Sequence, residues 1–118
     1  MAWLEIARSP LGGALCVALT GELDLAGAPA LQHALDAAVR ESDGVLFVDL
    51  TALEFIDSTG LTALLRTRAL LGREERELAL ICPRSNVRRV FDVAGISDLF
   101  AFYATRADAE RAHLPPAA

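Results

Sequence analysis

Two short apolar runs, Val45 to Leu50 and Leu78 to Cys82, constrain this chain more than any other feature. Each is nearly continuous rather than alternating, the pattern of a strand buried on both faces, and such strands belong to parallel sheets covered by helices. Between them, from about Ser58 to Leu71, apolar residues recur at helical spacing with Leu61, Leu64, Leu65 and Ala69 on one side, and Gly72 marks the end. Strand, helix, strand in that order is a right-handed crossover unit.

The flanking segments extend the same alternation. Trp3, Leu4 and Ile6 read as a first strand, Pro10 to Gly13 as a turn, and Ala14 to Thr20 as a second strand, which predicts an antiparallel hairpin. Leu31, Ala34, Leu35, Ala38 and Val39 predict a helix ended by Gly44. Pro83 stops the Leu78 to Cys82 strand. Ser85 or Asn86 caps a third helix with Val87, Val90, Phe91 and Ala94 on its apolar face and Gly95 beyond it. A short strand near Phe100 to Tyr103 follows, and the Thr105-x-x-Asp108 spacing opens a last helix. The predicted order is ββαβαβαβα: an α/β fold with a central mostly parallel sheet, an antiparallel N-terminal edge hairpin and about four helices. At 118 residues there is room for one domain, expected over residues 1–113, with residues 114–118, including Pro115 and Pro116, as a short disordered tail.

Charge narrows the function. The net charge is -5, which disfavours direct contact with nucleic acid or an anionic membrane surface. It is also uneven: residues 1–60 carry 9 acids against 2 arginines, residues 61–118 carry 7 acids against 9. All 11 basic residues are arginine, so chemistry that needs a lysine amine is excluded. Cys16 and Cys82 lie inside apolar runs, as buried free thiols do, which fits a reducing compartment. No signal peptide is evident and no apolar stretch reaches the roughly 20 residues of a membrane span. A cytoplasmic location and no membrane insertion are expected.

The informative segment is Phe55-Ile56-Asp57-Ser58-Thr59-Gly60-Leu61, between a buried strand and an amphipathic helix. Three capping-competent residues stand before Gly60 where one would suffice. A helix N-terminus presents free N–H groups, so a phosphate on Ser58 is expected to be held there, and Gly60 is expected to leave space for another protein to approach the hydroxyl. On residue types alone, a simple cap with an incidental glycine explains the segment as well, and the acidic turn Gly21-Glu22-Leu23-Asp24 reads equally as solvated loop.

GELD at Gly21 to Asp24, FIDSTGL at Phe55 to Leu61 and VRRVFDVAG at Val87 to Gly95 together resemble the STAS-domain family of bacterial anti-anti-sigma factors (anti-sigma factor antagonists), over about residues 3 to 112. The resemblance implies that Ser58 is a phosphoacceptor and that Asp24 and Asp57 are the acids beside it. Gly21, Glu22, Thr59, Gly60, Leu61 and Thr62 complete the implied partner-binding surface. One departure is visible: many members carry a second glycine where this chain has Thr62.

What the family implies is a partner switch. The unphosphorylated protein binds an anti-sigma factor and so frees a sigma factor. That anti-sigma factor is also an ATP-dependent serine kinase, and its phosphorylation of Ser58 releases the complex until a protein serine phosphatase resets it. No cofactor is expected on this chain, ATP and metal residing on the kinase, and Ser58 is substrate rather than catalyst, so the chain is not expected to be an enzyme.

Three other readings compete. A response-regulator receiver shares the element order and would use Asp49, but needs a lysine that is absent. A serine hydrolase needs a base near Ser58, whereas His33 reads as a surface helix residue and His113 lies at the tail. The third lies within the family: a STAS scaffold subunit of a lipid-transport ATPase complex or a stress-signalling assembly, without an obligatory phosphoswitch. Trp3 reads as edge-strand packing, and Arg88 and Arg89 as a solvated helix face.

Overall fold

The computed structural model describes residues 3–113. Its elements are β1 (Leu4–Leu11), β2 (Ala14–Leu23), α1 (Ala28–Arg40), β3 (Leu46–Ile56), α2 (Ser58–Gly72), β4 (Leu78–Ile81), α3 (Asn86–Val93), a 3-10 turn at Ser97–Leu99, β5 (Ala101–Tyr103) and α4 (Arg106–His113). The five strands lie in chain order across one sheet. β1 and β2 are antiparallel, and β2 through β5 are parallel neighbours. This is the predicted order. The predicted tail, residues 114–118, lies outside the described residues.

Leu46, Val48 and Leu50 of β3 and Leu78 and Leu80 of β4 point into a core shared with Leu31 and Leu35 of α1, Leu64 and Leu71 of α2, and Phe91 of α3. The alternate residues Phe47, Ala79 and Ile81, with Cys16, form a smaller cluster on the other face that includes Ala109 of α4. Both apolar runs are therefore covered on two sides, which is why they lack alternation. Both cysteines are buried and free.

Several boundaries differ from the sequence reading. Pro10 sits inside β1, paired with Leu15, and the turn is only Gly12-Gly13, both with positive φ. β2 runs on to Leu23 and β3 to Ile56, because irregular pairing between Ala18 and Thr20 and between Gly21 and Glu22 interrupts the regular alternation without ending the ladder. α1 stops at Arg40, short of Gly44, because its last carbonyls are taken by side chains: Ser42 Oγ donates to Ala38 O at 2.6 Å and Arg76 to Val39 O at 3.0 Å. Ala69 and Ala94, expected on buried helix faces, are exposed, and on α2 the burial is carried instead by Gly60, Leu61, Ala63, Leu64, Thr67 and Leu71. Arg88 is half-buried rather than on a fully solvated face: its guanidinium lies 3.7 Å from the centre of the Phe102 ring. Arg89 is exposed as expected.

Candidate functional site

β2 and β3 end side by side, Leu23 paired with Ile56, so the two acidic turns that follow them meet at the carboxyl edge of the sheet. Asp24 closes the first: its carboxylate accepts from the N–H groups of Ala26 (3.1 Å) and Gly27 (3.3 Å), which turns the chain into α1. Asp57 closes the second. Its own N–H donates to Leu23 O at 3.1 Å, tying the turns together, and its side chain is the N-cap of α2, accepting from Thr59 N at 3.0 Å and Gly60 N at 3.3 Å. The Thr59 hydroxyl donates to the same carboxylate oxygen.

This arrangement fixes the ionisation of Asp57. Partial burial opposes the charge, but the Thr59 hydroxyl and the N–H groups of Gly60, Thr59 and Leu25 outweigh it and hold the carboxyl below the ordinary aspartate value. It also corrects one expectation. The N–H groups of Thr59 and Gly60, which were to receive a phosphate on Ser58, already bond to Asp57.

Ser58 is the first residue of α2 and is exposed, and its hydroxyl makes no hydrogen bond within the described residues. Thr62, one turn on, is exposed too and donates to Ser58 O at 2.8 Å. Glu22, Asp24, Asp57 and Thr59 are half-buried. Gly21, Gly60 and Leu61 are buried beneath them, so they build the site rather than present it.

The two glycines have packing reasons. A Cβ on Gly60 would lie 2.7 Å from Leu23 Cγ and Cδ2 and 2.9 Å from Ile56 Cγ1, so Gly60 lets α2 start hard against the sheet. It does not open access to the hydroxyl, as the sequence suggested. Gly21 has φ +103°, and a Cβ there would stand 2.3 Å from the Trp3 carbonyl oxygen.

Residue patterning missed two apolar side chains at this end. Leu25 is 71% exposed and Phe55 46% exposed. The available signal was position: Leu25 belongs to neither the β2 alternation nor the α1 stripe. Trp3, expected to pack on the edge strand, is 52% exposed. Leu25 also lines a groove between α1 and α2 with Pro29, His33, Thr59, Thr62 and Arg66.

Two residues that the competing readings would use are engaged elsewhere. Asp49 is 8% exposed and held by Arg106 Nε at 2.8 Å, so it is not an open phosphoacceptor. His113 is bonded to the Tyr103 hydroxyl at 2.7 Å and lies 3.1 Å from Glu77, so its ring is engaged away from Ser58.

A family model for the STAS domain matches residues 7–109. The anti-sigma-F factor antagonist RsfB of Mycobacterium tuberculosis is 31% identical over 97 residues, covering 82% of this chain and 79% of that protein. An anti-sigma factor antagonist from Mycobacterium paratuberculosis, known from a crystal structure, superposes with a TM-score of 0.87 at 32% identity, covering 96% of each chain. The Bacillus cell fate determinant SpoIIAA in its phosphorylated form superposes at 0.67 with 18% identity, over 94% of this chain and 100% of that one, a likeness of fold. This chain belongs to the STAS domain family.

Proposed function

We propose that this protein is an anti-sigma factor antagonist switched at Ser58. Unphosphorylated, it binds an anti-sigma factor and frees a sigma factor. The anti-sigma factor, acting as an ATP-dependent serine kinase, phosphorylates Ser58 and is released, and a serine phosphatase restores the binding form. The exchange takes place in the cytoplasm, with nucleotide and metal on the kinase.

One observation carries the reading: of the two adjacent hydroxyls, that of Thr59 bonds to Asp57, while that of Ser58 is exposed and unengaged. The similarity to relatives that are themselves anti-sigma factor antagonists supports the partner class. Electrostatics supports the direction of the switch. Phosphoserine adds about 1.5 to 2 negative charges. At about 5 Å from a carboxylate, each charge costs about 3 kcal/mol at an effective dielectric near 20, before salt screening. Because Asp57 already caps α2, the phosphate adds to a negative surface that a partner must desolvate. A few kcal/mol is a hundredfold or more in affinity. Ser58 itself projects into solvent, so the fold tolerates the modification.

Incubating the protein with its anti-sigma kinase and ATP adds one phosphate, located on Ser58 by mass spectrometry, and Ser58→Ala abolishes it. Ser58→Asp lowers affinity for the anti-sigma factor at least a hundredfold while the circular dichroism spectrum stays native. Phosphate recovered on Thr59 from the wild type, or undiminished binding by Ser58→Asp, refutes the proposal.

A further inference from the structure

The strand register lines up a row of half-buried and exposed side chains at the carboxyl edge of the sheet, where β3 leads into Ser58, on the face opposite α1 to α3. Leu4, Gly21 and Leu53 are aligned across β1, β2 and β3, and both leucines pack into the main core. One step toward Ser58, Glu22 N donates to Trp3 O at 2.7 Å and Glu22 pairs with Phe55. The step beyond, Leu23 with Ile56, is buried again. Leu4, Leu23 and Ile56 belong to the main core, and the residue before each, Trp3, Glu22 and Phe55, turns to the opposite face, the irregular pairing at Gly21 and Glu22 absorbing the extra residue between Leu53 and Phe55. Phe55 precedes Ser58 by three residues.

Neither aromatic joins an aromatic cluster; those are made by Phe91, Phe100 and Phe102, and by Phe47, Tyr103 and His113. The Glu22 carboxylate has no ion pair among the described residues, nor do Glu5 and Glu54 nearby, whereas the arginine pairs go to Glu41, Asp49, Glu74, Asp92 and Asp108. A carboxylate between two exposed aromatic rings attracts a cation carried on an apolar stem, which is the chemistry of an arginine or lysine side chain.

We propose that Trp3, Glu22 and Phe55 form a receptor for a basic side chain of the anti-sigma factor, continuous with the docking surface around Ser58. The inference rests on the function proposed above and adds the chemistry by which the partner is held. Continuity with Ser58 and charge complementarity single out that occupant. A second copy of this chain would bring Glu22 and its neighbouring acids against themselves in a two-fold contact.

Trp3 is the only tryptophan, so its emission reports on this row alone. The probe is the purified anti-sigma factor encoded nearest this chain in its own genome, titrated into wild type, Glu22→Gln, Glu22→Arg, Phe55→Ala, Ser58→Asp and the double variant Trp3→Ala with Phe55→Ala, the last followed by calorimetry. Saturable change in Trp3 emission is expected for the wild type, with affinity about tenfold lower in Glu22→Gln and about a hundredfold lower in the double variant. Glu22→Arg abolishes binding, and reversing one basic residue of the partner to Glu restores part of it. Wild-type affinity in Glu22→Gln and in the double variant, with Ser58→Asp still defective, overturns the receptor alone. Absent binding by the wild type, or full binding by Ser58→Asp, overturns the underlying function. Self-association that Phe55→Ala removes without changing partner affinity assigns the row to a second copy and overturns the proposal.

Discussion

The Asp57 carboxylate holds Thr59 by both its N–H, at 3.0 Å, and its hydroxyl, and leaves the neighbouring Ser58 free. The cap thus engages one of two adjacent hydroxyls while it starts α2. Asp57→Ala is expected to cost about 1 kcal/mol of stability by urea unfolding and to release the Thr59 hydroxyl, so that kinase treatment yields a mixture of phosphorylated Ser58 and Thr59. Phosphate confined to Ser58 in that variant would show that the kinase, not the cap, makes the choice.

The cap also predicts a pH dependence. The Asp57 pKa is lowered in the folded chain, so the folded state binds its proton less readily than the unfolded one. The resulting stability is fully present above the unfolded value of about 3.9 and is lost as pH falls through the folded value below it. An asparagine at this position still caps but does not titrate. The stability difference between wild type and Asp57→Asn should be constant from about pH 7 to about pH 5 and shift against the wild type below about pH 4; a shift in the opposite direction contradicts the assignment.

Gly60→Ala places a methyl 2.7 Å from Leu23 and should destabilise the protein by about 1 to 3 kcal/mol. Gly21→Ala should be worse, since its methyl meets a backbone oxygen at 2.3 Å in a left-handed conformation. Guanidinium unfolding of the two variants ranks them. A neutral Gly60→Ala would mean that α2 can lift from the sheet at its first turn.

Asp49 is buried beside Thr51 N, from which it accepts at 2.9 Å, and beside Arg106, whose guanidinium also reaches Ser9 Oγ at 3.3 Å. Arg106→Ala removes the charged partner that ties α4 to the sheet and should cost about 1.5 to 3 kcal/mol. The double variant Asp49→Asn with Arg106→Gln should cost less than the sum of its two single changes, because neither side chain is then left as a lone buried charge. Strict additivity in a thermal-melt cycle would show that the pair is not coupled.

Burial raises the Cys16 pKa to about 11, and it raises that of Cys82 in the same direction. Ellman's reagent should therefore react with neither thiol in the native protein at about pH 8 and with both in denaturant. Rapid reaction of one thiol under native conditions would reveal local opening of its strand.

The alternation that predicts ββαβαβαβα is visible because each strand run ends at a glycine, a proline or a capping residue. Short-range signals also located the caps: Ser85 accepts from Arg88 N at 3.2 Å and Thr105 from Asp108 N at 3.1 Å. What escaped was set by distant partners. Gly60 is a glycine because of Leu23, Gly21 because of Trp3, and Arg88 is half-buried because Phe102 arrives from β5. Arg76 looks like any surface charge in sequence, yet it binds Val39 O, Gly44 O and Ser42 Oγ and ends a helix from another loop. The Trp3, Glu22 and Phe55 row depends on register across three strands, and irregular pairing near Glu22 conceals it from any count of alternation.

Pro10, which a sequence reader places in a turn, lies instead in β1, the long outer strand of the sheet, with Arg8 two residues before it and Glu5 further back. An outer strand with free N–H and C=O groups invites another chain to add to it and begin an aggregate, and proline and charge are the usual deterrents. The opposite outer strand, Ala101–Tyr103, is only three residues long. Both open borders are thus poor templates for further strands, and copies of this chain are discouraged from joining edge to edge.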